Sequence, residues 1–199
     1  MSKIYYLMGK SATGKDTVYK ELMKRRPELK TAVTYTTRPI REGETEGTEY
    51  FFTDAKTLRR FLEEGKVIEL RTYETVHGPW SYFTADDGQF DLKGGNDYLM
   101  IGTLESYEKM CRYFGAEAIV PLYLELPDGM RLRRALKREE NQKEPCYREL
   151  CRRYLADEKD FSEARLNELG IKKRFSNIRL EGCIGQILQE MQENRTDPE

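Results

Sequence analysis

Three groups of residues in this 199-residue chain have types and spacings suited to handling phosphate. The first is the run Gly9-Lys10-Ser11-Ala12-Thr13-Gly14-Lys15-Asp16-Thr17. Glycines let the main chain curl so that successive N–H groups face one centre, and a helix that follows adds partial positive charge there. Lys15 is placed to reach the outer phosphates of a nucleoside triphosphate and is the first catalytic candidate. The run departs from the G-x-x-x-x-G-K-[ST] pattern at its last position. Asp16 stands where a hydroxyl commonly meets Mg²⁺, and Thr17 follows one residue later. Mg²⁺ is therefore the expected cofactor, met by Thr17, or by Asp16 through water. A glycine turn capping an ordinary helix is the plainer alternative. The order strand, loop, lysine, helix weighs against it.

The second group lies between Thr36 and Phe52, with Arg38 and Arg41 ahead of a glycine-bearing acidic turn and Tyr50 beyond it. Guanidinium forks match phosphate oxygens and a phenol can add a donor, each charge-assisted bond contributing about 1.5–3 kcal/mol. Taken by itself, this stretch reads first as a solvated charged loop with surface ion pairs. The third group is the arginine run Arg131, Arg133, Arg134, Arg138, Arg148, Arg152 and Arg153. A run of charge is commonly a solvated helix face, so its meaning depends on the other two groups.

The stretch Thr36-Thr37-Arg38-Pro39-Ile40-Arg41-Glu42-Gly43-Glu44-Thr45-Glu46-Gly47-Thr48-Glu49-Tyr50-Phe51-Phe52 resembles the guanylate kinase signature T-[ST]-R-x2-[KR]-x2-[DE]-x2-G-x2-Y-x-[FY] at every specified position. The resemblance runs over about residues 3–192 and weakens beyond residue 70. It implies an ATP-dependent nucleoside monophosphate kinase that moves the γ-phosphoryl of ATP to GMP, with residues 9–17 holding ATP. It implies that Arg38, Arg41 and Tyr50 bind the GMP phosphate. Thr34 and Glu69 would contact guanine, the carboxylate accepting from two adjacent N–H groups. Ser81-Tyr82-Phe83-Thr84 is similar to a Tyr-Tyr-Gly-Ser/Thr segment, so Tyr82 would touch phosphate and Thr84 the base, with Phe83 in place of glycine and residues 74–80 as an insertion. Lid arginines of the family close over ATP, which assigns Arg138, Arg153 and Arg134 to the transferring phosphoryl. The family's Asp-x-Asp is replaced by Met100-Ile101-Gly102. That departure favours a related kinase with another phosphorylated acceptor as one alternative. A non-catalytic guanylate-kinase-like binding module is the other, against which the retained Lys15 stands.

The elements needed to position these groups are legible in outline. Apolar runs at Ile4–Met8, Tyr98–Ile101 and Ala118–Leu126, a β-branched Thr31–Tyr35, an alternating Val67–Tyr73 and a weak Ile178–Leu180 read as strands. Between them, helices are expected after the glycine loop, through Glu21 and Leu22 to Arg26, then after a cap at Asp54, from Leu104 to Phe114, after a cap at Asp128, and over 183–193. Residues 75–97 read as loops and short strands, residues 137–160 are charged with little periodicity, and the tail from Asn194 is expected to fray. The fold class expected is α/β, a three-layer P-loop fold with a parallel sheet core. The core is assigned to 1–33, 96–130 and 161–193, a small β-rich monophosphate-binding region to 34–95, and a helical lid to about 131–160.

The net charge of −1 offers no general attraction for a nucleic-acid polymer, so the phosphate sites must be local. No apolar run is long enough to cross a bilayer and no signal-peptide pattern opens the sequence, so a cytoplasmic protein is expected, away from membranes. Four cysteines without a C-x-x-C pair suit reduced thiols, and one histidine, His77, leaves little room for a histidine-based nucleophile device. ATP and GMP are the expected small-molecule partners, and the chain is expected to act as a monomer or homodimer.

Overall fold

The structure, a computed structural model, describes residues 2–41, 43–75 and 78–195. Glu42 of the signature, His77 and the last four residues lie outside them. Strand β1 spans Ile4–Gly9, β6 Tyr98–Ile101, β7 Ile119–Glu125 and β8 Arg174–Ser176. They form one parallel sheet in the order β6-β1-β7-β8. Alternation in β1 sends Ile4, Tyr6 and Met8 to one face and Tyr5 and Leu7 to the other, and all five are buried. On the first face they meet Tyr107 and Met110 of helix α3 (Leu104–Phe114), with Leu166 of helix α6 (Glu163–Glu168). On the second they meet Val18 and Leu22 of helix α1 (Lys15–Arg25), with Ile184, Ile187 and Met191 of helix α7 (Leu180–Glu193). A sheet buried on both faces reads as a continuous apolar run, which is why Ile4–Met8 is legible.

A second sheet has the order β3-β2-β5-β4, built from β2 (Tyr35–Thr36), β3 (Phe51–Phe52), β4 (Val67–Thr75) and β5 (Gly78–Ala85). Helix α2 (Ala55–Glu63) covers it with Leu58 and Phe61, against which Phe83 and Tyr35 pack, their rings stacked 5.0 Å apart. Asp54 caps this helix as expected, its Oδ1 accepting from the Thr57 N–H at 2.7 Å. Phe83 stands in the glycine position of the resembled segment because it fills this small core.

Several expectations are corrected. The strand proposed at Thr31–Tyr35 forms only from Tyr35, where β2 begins: Gln89 hydrogen-bonds both the N–H and the carbonyl of Val33, taking the backbone groups a ladder would use. Residues 75–97, read as loops and short strands, contain the eight-residue β5. The last strand is Arg174–Ser176, not Ile178–Leu180; Phe175 is the buried residue, while Ile178 is exposed and Leu180 opens α7. Asp128 is the first residue of helix α4 (Asp128–Glu140) rather than its cap, and its carboxylate sits 3.4 Å from Arg131. The charged stretch continues as helix α5 (Tyr147–Asp160), which has no buried residue. Asn194 and Arg195 are tied down: Arg195 donates to Asp97 at 2.7 Å.

Candidate active site

The phosphate loop leaves the carboxyl end of β1 and enters α1. Gly9 has no room for a side chain, since a Cβ would stand 2.5 Å from the Leu124 carbonyl of β7. Gly14 adopts φ +93° and lies against Asn177, whose Nδ2 donates to the Thr13 carbonyl at 2.7 Å. Ala12 takes the left-handed φ of +63°, a strained choice for a residue with a Cβ that suits a nest of inward N–H groups. Thr13 is buried and its hydroxyl donates to the Lys10 carbonyl at 2.8 Å. The Lys15 ammonium donates to the carbonyls of Gly9 and Lys10 at 2.7 and 3.2 Å. Burial lowers its pKa, with Asp157 and Asp16 working against the shift.

Internal carboxylates already engage this loop. The Ser11 N–H donates to Asp157 at 2.7 Å, and Lys10 pairs with Glu158 at 2.7 Å. Both acids belong to α5. Arg131 is buried beside them, 3.7 Å from Asp157 and 3.4 Å from Glu158, with its guanidinium 4.9 Å from the Tyr154 ring centre. Arg131 therefore fastens α4 to α5, a role distinct from the exposed arginines of the same run.

Those exposed arginines surround the loop. Ser11, Ala12, Gly14, Lys15, Asp16, Thr17, Arg134, Arg138 and Arg153 line one cavity of about 400 Å³. Arg134 also donates to the Asn177 carbonyl at 3.2 Å, and Arg153 pairs with Glu149 at 2.8 Å. Glu149 accepts from Arg152 as well; bonding to Arg152 and then to Arg153 holds its pKa down at about 2.

A second cavity of about 500 Å³ opens between α5 and the β4–β5 hairpin. Tyr50, Tyr82, Tyr73 and Trp80 give it aromatic walls, and its charged lining mixes Arg71, Arg152 and Arg153 with Glu149, Asp157 and Asp160 of α5. Arg153 and Ser11 line both cavities, which therefore share a wall.

Around this second cavity the structure gathers some of the expected acceptor residues and not others. Arg38 is buried, its guanidinium 5.5 Å from the Tyr50 ring centre and forked onto Glu44 at 2.8 and 2.9 Å. That carboxylate has the size and charge of an anion on the Arg38 fork. Tyr50 and Tyr82 meet edge to face at 5.6 Å. Arg41 is exposed and meets the cluster through its backbone N–H, which donates to Glu44 at 2.8 Å. Thr34 takes part through its carbonyl, which accepts the Phe51 N–H at 3.0 Å.

Glu69 and Thr84 face each other across the β4–β5 register and are hydrogen-bonded at 3.0 Å, both buried. Arg71, two residues along the same strand face, forks onto Glu69 at 2.9 and 3.1 Å. Burial works against the charge on Arg71, and Glu69 outweighs it, so the pKa of the guanidinium is raised. Sequence reading missed Arg71, although strand alternation alone puts it beside Glu69.

The Met100-Ile101-Gly102 departure has a structural cause. A Cβ on Gly102 would lie 2.0 Å from the Tyr6 hydroxyl, which donates to Ser106 at 2.8 Å. Burial raises the pKa of this phenol. A tyrosine from β1 therefore occupies the space that a side chain at position 102 would need. Three acids within reach in sequence are engaged elsewhere. Asp97 binds Lys3 N–H and Arg195, Glu105 pairs with Lys109, and Asp86 accepts from Tyr113.

Among the described residues no group of three or more His, Cys, Asp or Glu is arranged to hold a metal ion. Mg²⁺ commonly takes only one or two protein oxygens beside phosphates and waters. The Asp16 carboxylate and the Thr17 hydroxyl, both exposed at the mouth of α1 and lining the loop cavity, are hard donors of that kind. No helix among the described residues is long and apolar enough to cross a membrane.

Known proteins resemble this chain in part of its sequence and in its fold. Residues 1–79 match the family model for guanylate kinase. A guanylate kinase of Thermobifida fusca (strain YX) is 46% identical over 67 residues, 34% of this chain and 34% of the relative. One from Coxiella burnetii is 32% identical over 100 residues, 50% of this chain and 47% of the relative. The chain thus spans a third to a half of the length of these curated relatives. The crystal structure of guanylate kinase from Anaplasma phagocytophilum superposes with a TM-score of 0.70 at 19% identity, covering 98% of this chain and 87% of that one, and so shares the fold. The first 79 residues thus match the guanylate kinase family model, and the chain as a whole shares the fold of a solved guanylate kinase.

Proposed function

We propose that the chain transfers the γ-phosphoryl of ATP to a phosphate oxygen of a nucleoside monophosphate, for which the signature names GMP. The observation that carries this reading is the wall shared by the two cavities. Ser11 of the phosphate loop and Arg153 of α5 both face the donor side and the acceptor side. A donor phosphate on the loop amides and an acceptor phosphate near Arg38, Tyr50 and Tyr82 would then meet beside Arg153.

The acceptor oxygen needs no protein base. A phosphomonoester has a second pKa of about 6, so it is already ionised at neutral pH. The work left to the chain is positioning and charge neutralisation. Lys15 and the N–H groups of residues 11–15 hold the donor phosphates, once the Asp157 carboxylate yields the Ser11 N–H. Arg38 exchanges Glu44 for the acceptor phosphate. Arg138, Arg153 and Arg134 offset charge on the transferring group, a contribution of about 10³–10⁵ in rate for a well-placed arginine. Helices α4 and α5, as a lid, exclude water and so suppress hydrolysis. Thr17, or Asp16 through water, would hold Mg²⁺, which would supply charge neutralisation at the donor phosphates.

A Lys15→Ala variant is expected to keep its fold and lose nearly all turnover. Turnover near the wild-type rate would refute the loop assignment. A second reading, a phosphorylated acceptor other than GMP, is favoured by the engagement of Glu69 with Arg71 and by Gly102.

A further inference from the structure

The base-reading end of the acceptor cavity is wired differently from what the signature implies. Glu69 is the one carboxylate expected to accept guanine's N1–H and 2-amino hydrogens, and its side chain is 1% exposed. One oxygen accepts from Arg71 Nε, and the other from Arg71 Nη2 and the Thr84 hydroxyl. A carboxylate has room for about four such bonds, so three are in place before any ligand arrives. The cavity is lined by Arg71 and not by Glu69 or Thr84. The position after β6 supplies no acid either, because Tyr6 fills the space next to Gly102; the acids that line the cavity, Glu149, Asp157 and Asp160, belong to α5 on its opposite wall. The surface a ligand meets there is a guanidinium, a donor without lone pairs.

We infer that Arg71 is a specificity-determining residue that withdraws Glu69 from substrate recognition. The acceptor site then selects a monophosphate by its hydrogen-bond acceptor atoms rather than by guanine's N1–H and 2-amino donors. Donor set against donor repels, whereas O6 and N7 of a purine, or O2 and N3 of cytosine, match a guanidinium fork. This rests on the phosphate-acceptor reading of the cavity and deepens it.

The test compares GMP with inosine monophosphate, which keeps O6, N7 and N1–H and lacks only the 2-amino group. Each is titrated calorimetrically, without ATP, into wild type and Arg71→Ala. Wild type is expected to bind the two within about threefold, because Glu69, held by Arg71 and Thr84, does not read the 2-amino group. In Arg71→Ala the preference for GMP is expected to rise at least tenfold as Glu69 becomes free. Since the alanine variant leaves a buried carboxylate without its partner, Arg71→Lys is run beside it. Lysine keeps a cation for Glu69 without the fork, and a smaller shift in the same direction is expected. Wild type preferring GMP by tenfold or more would overturn the inference, as would a ratio unmoved in both variants. Absence of saturable binding of either nucleotide would overturn both the inference and the acceptor reading. A parallel assay of ADP release separates the two claims. Binding ratios as expected with no phosphoryl transfer to any monophosphate would leave the inference standing and remove the kinase reading.

Discussion

Removing the Asp157 carboxylate should tighten ATP binding. Its Oδ2 accepts the Ser11 N–H at 2.7 Å, on the loop where a donor phosphate oxygen is expected. A hydrogen bond to a charged group contributes about 1.5–3 kcal/mol, and each 1.4 kcal/mol is about tenfold in an equilibrium constant. Asp157 is 14% exposed, so solvent screens it only in part. The loop cavity is open to water, which argues for the lower end, a gain of about tenfold in Asp157→Ala. The carboxylate's negative charge next to a polyphosphate acts in the same direction. The substitution should not strand Arg131, which keeps Asp128 and Glu158, each at 3.4 Å. The assay is a calorimetric titration with ATP in the absence of acceptor, with thermal unfolding as a control for the fold. Affinity unchanged within twofold, or weakened, in a folded variant would refute the view that Asp157 competes with phosphate for the loop.

Arg38→Ala should raise the acceptor KM by roughly ten- to a hundredfold, the worth of one charge-assisted phosphate contact, with ATP binding little changed. An unchanged acceptor KM would contradict the assignment. Gly102→Ala drives a Cβ to 2.0 Å from the buried Tyr6 hydroxyl, so it should destabilise by about 1–3 kcal/mol and lower Tm by several degrees. A wild-type Tm would show that the phenol moves freely. Glu149 has a pKa of about 2, depressed from 4.5 by Arg152 and Arg153. A carboxylate depressed on folding stabilises above its unfolded pKa, and that contribution fades as pH falls from about 4.5 toward about 2. Its carboxyl carbon resonance should titrate near 2 in the wild type and move toward 4.5 in Arg152→Ala; a midpoint near 4.5 in both would remove the ion pairs from solution.

What the sequence revealed and what it hid follow from the forces at each place. Ile4–Met8 was legible because both faces of β1 are buried, and Asp54 because a cap is a local hydrogen bond. Thr31–Tyr35 was misread because a distant side chain, Gln89, takes the backbone groups of Val33. Helix α5 left no periodic trace because no residue of it is buried. It is held by Lys10–Glu158, by Arg131 against Asp157, and by Arg131 over Tyr154. The phosphate loop and Arg38 were found through motifs whose residues are neighbours in the chain. Tyr6 beside Gly102 was invisible because the two strands meet only in the folded sheet. Arg71 was within reach of sequence reasoning, since it shares a strand face with Glu69.

The central claim is that two phosphate sites share one wall and exchange a phosphoryl group across it. The direct measurement is ADP formation with Mg·ATP and, in turn, GMP, dGMP, AMP, UMP and CMP, each product identified by mass. ADP should appear well above the ATP-only background with at least one monophosphate, matched by an equal amount of its diphosphate, and Lys15→Ala should abolish it. ADP at background with every acceptor, or release undiminished in Lys15→Ala, would contradict it.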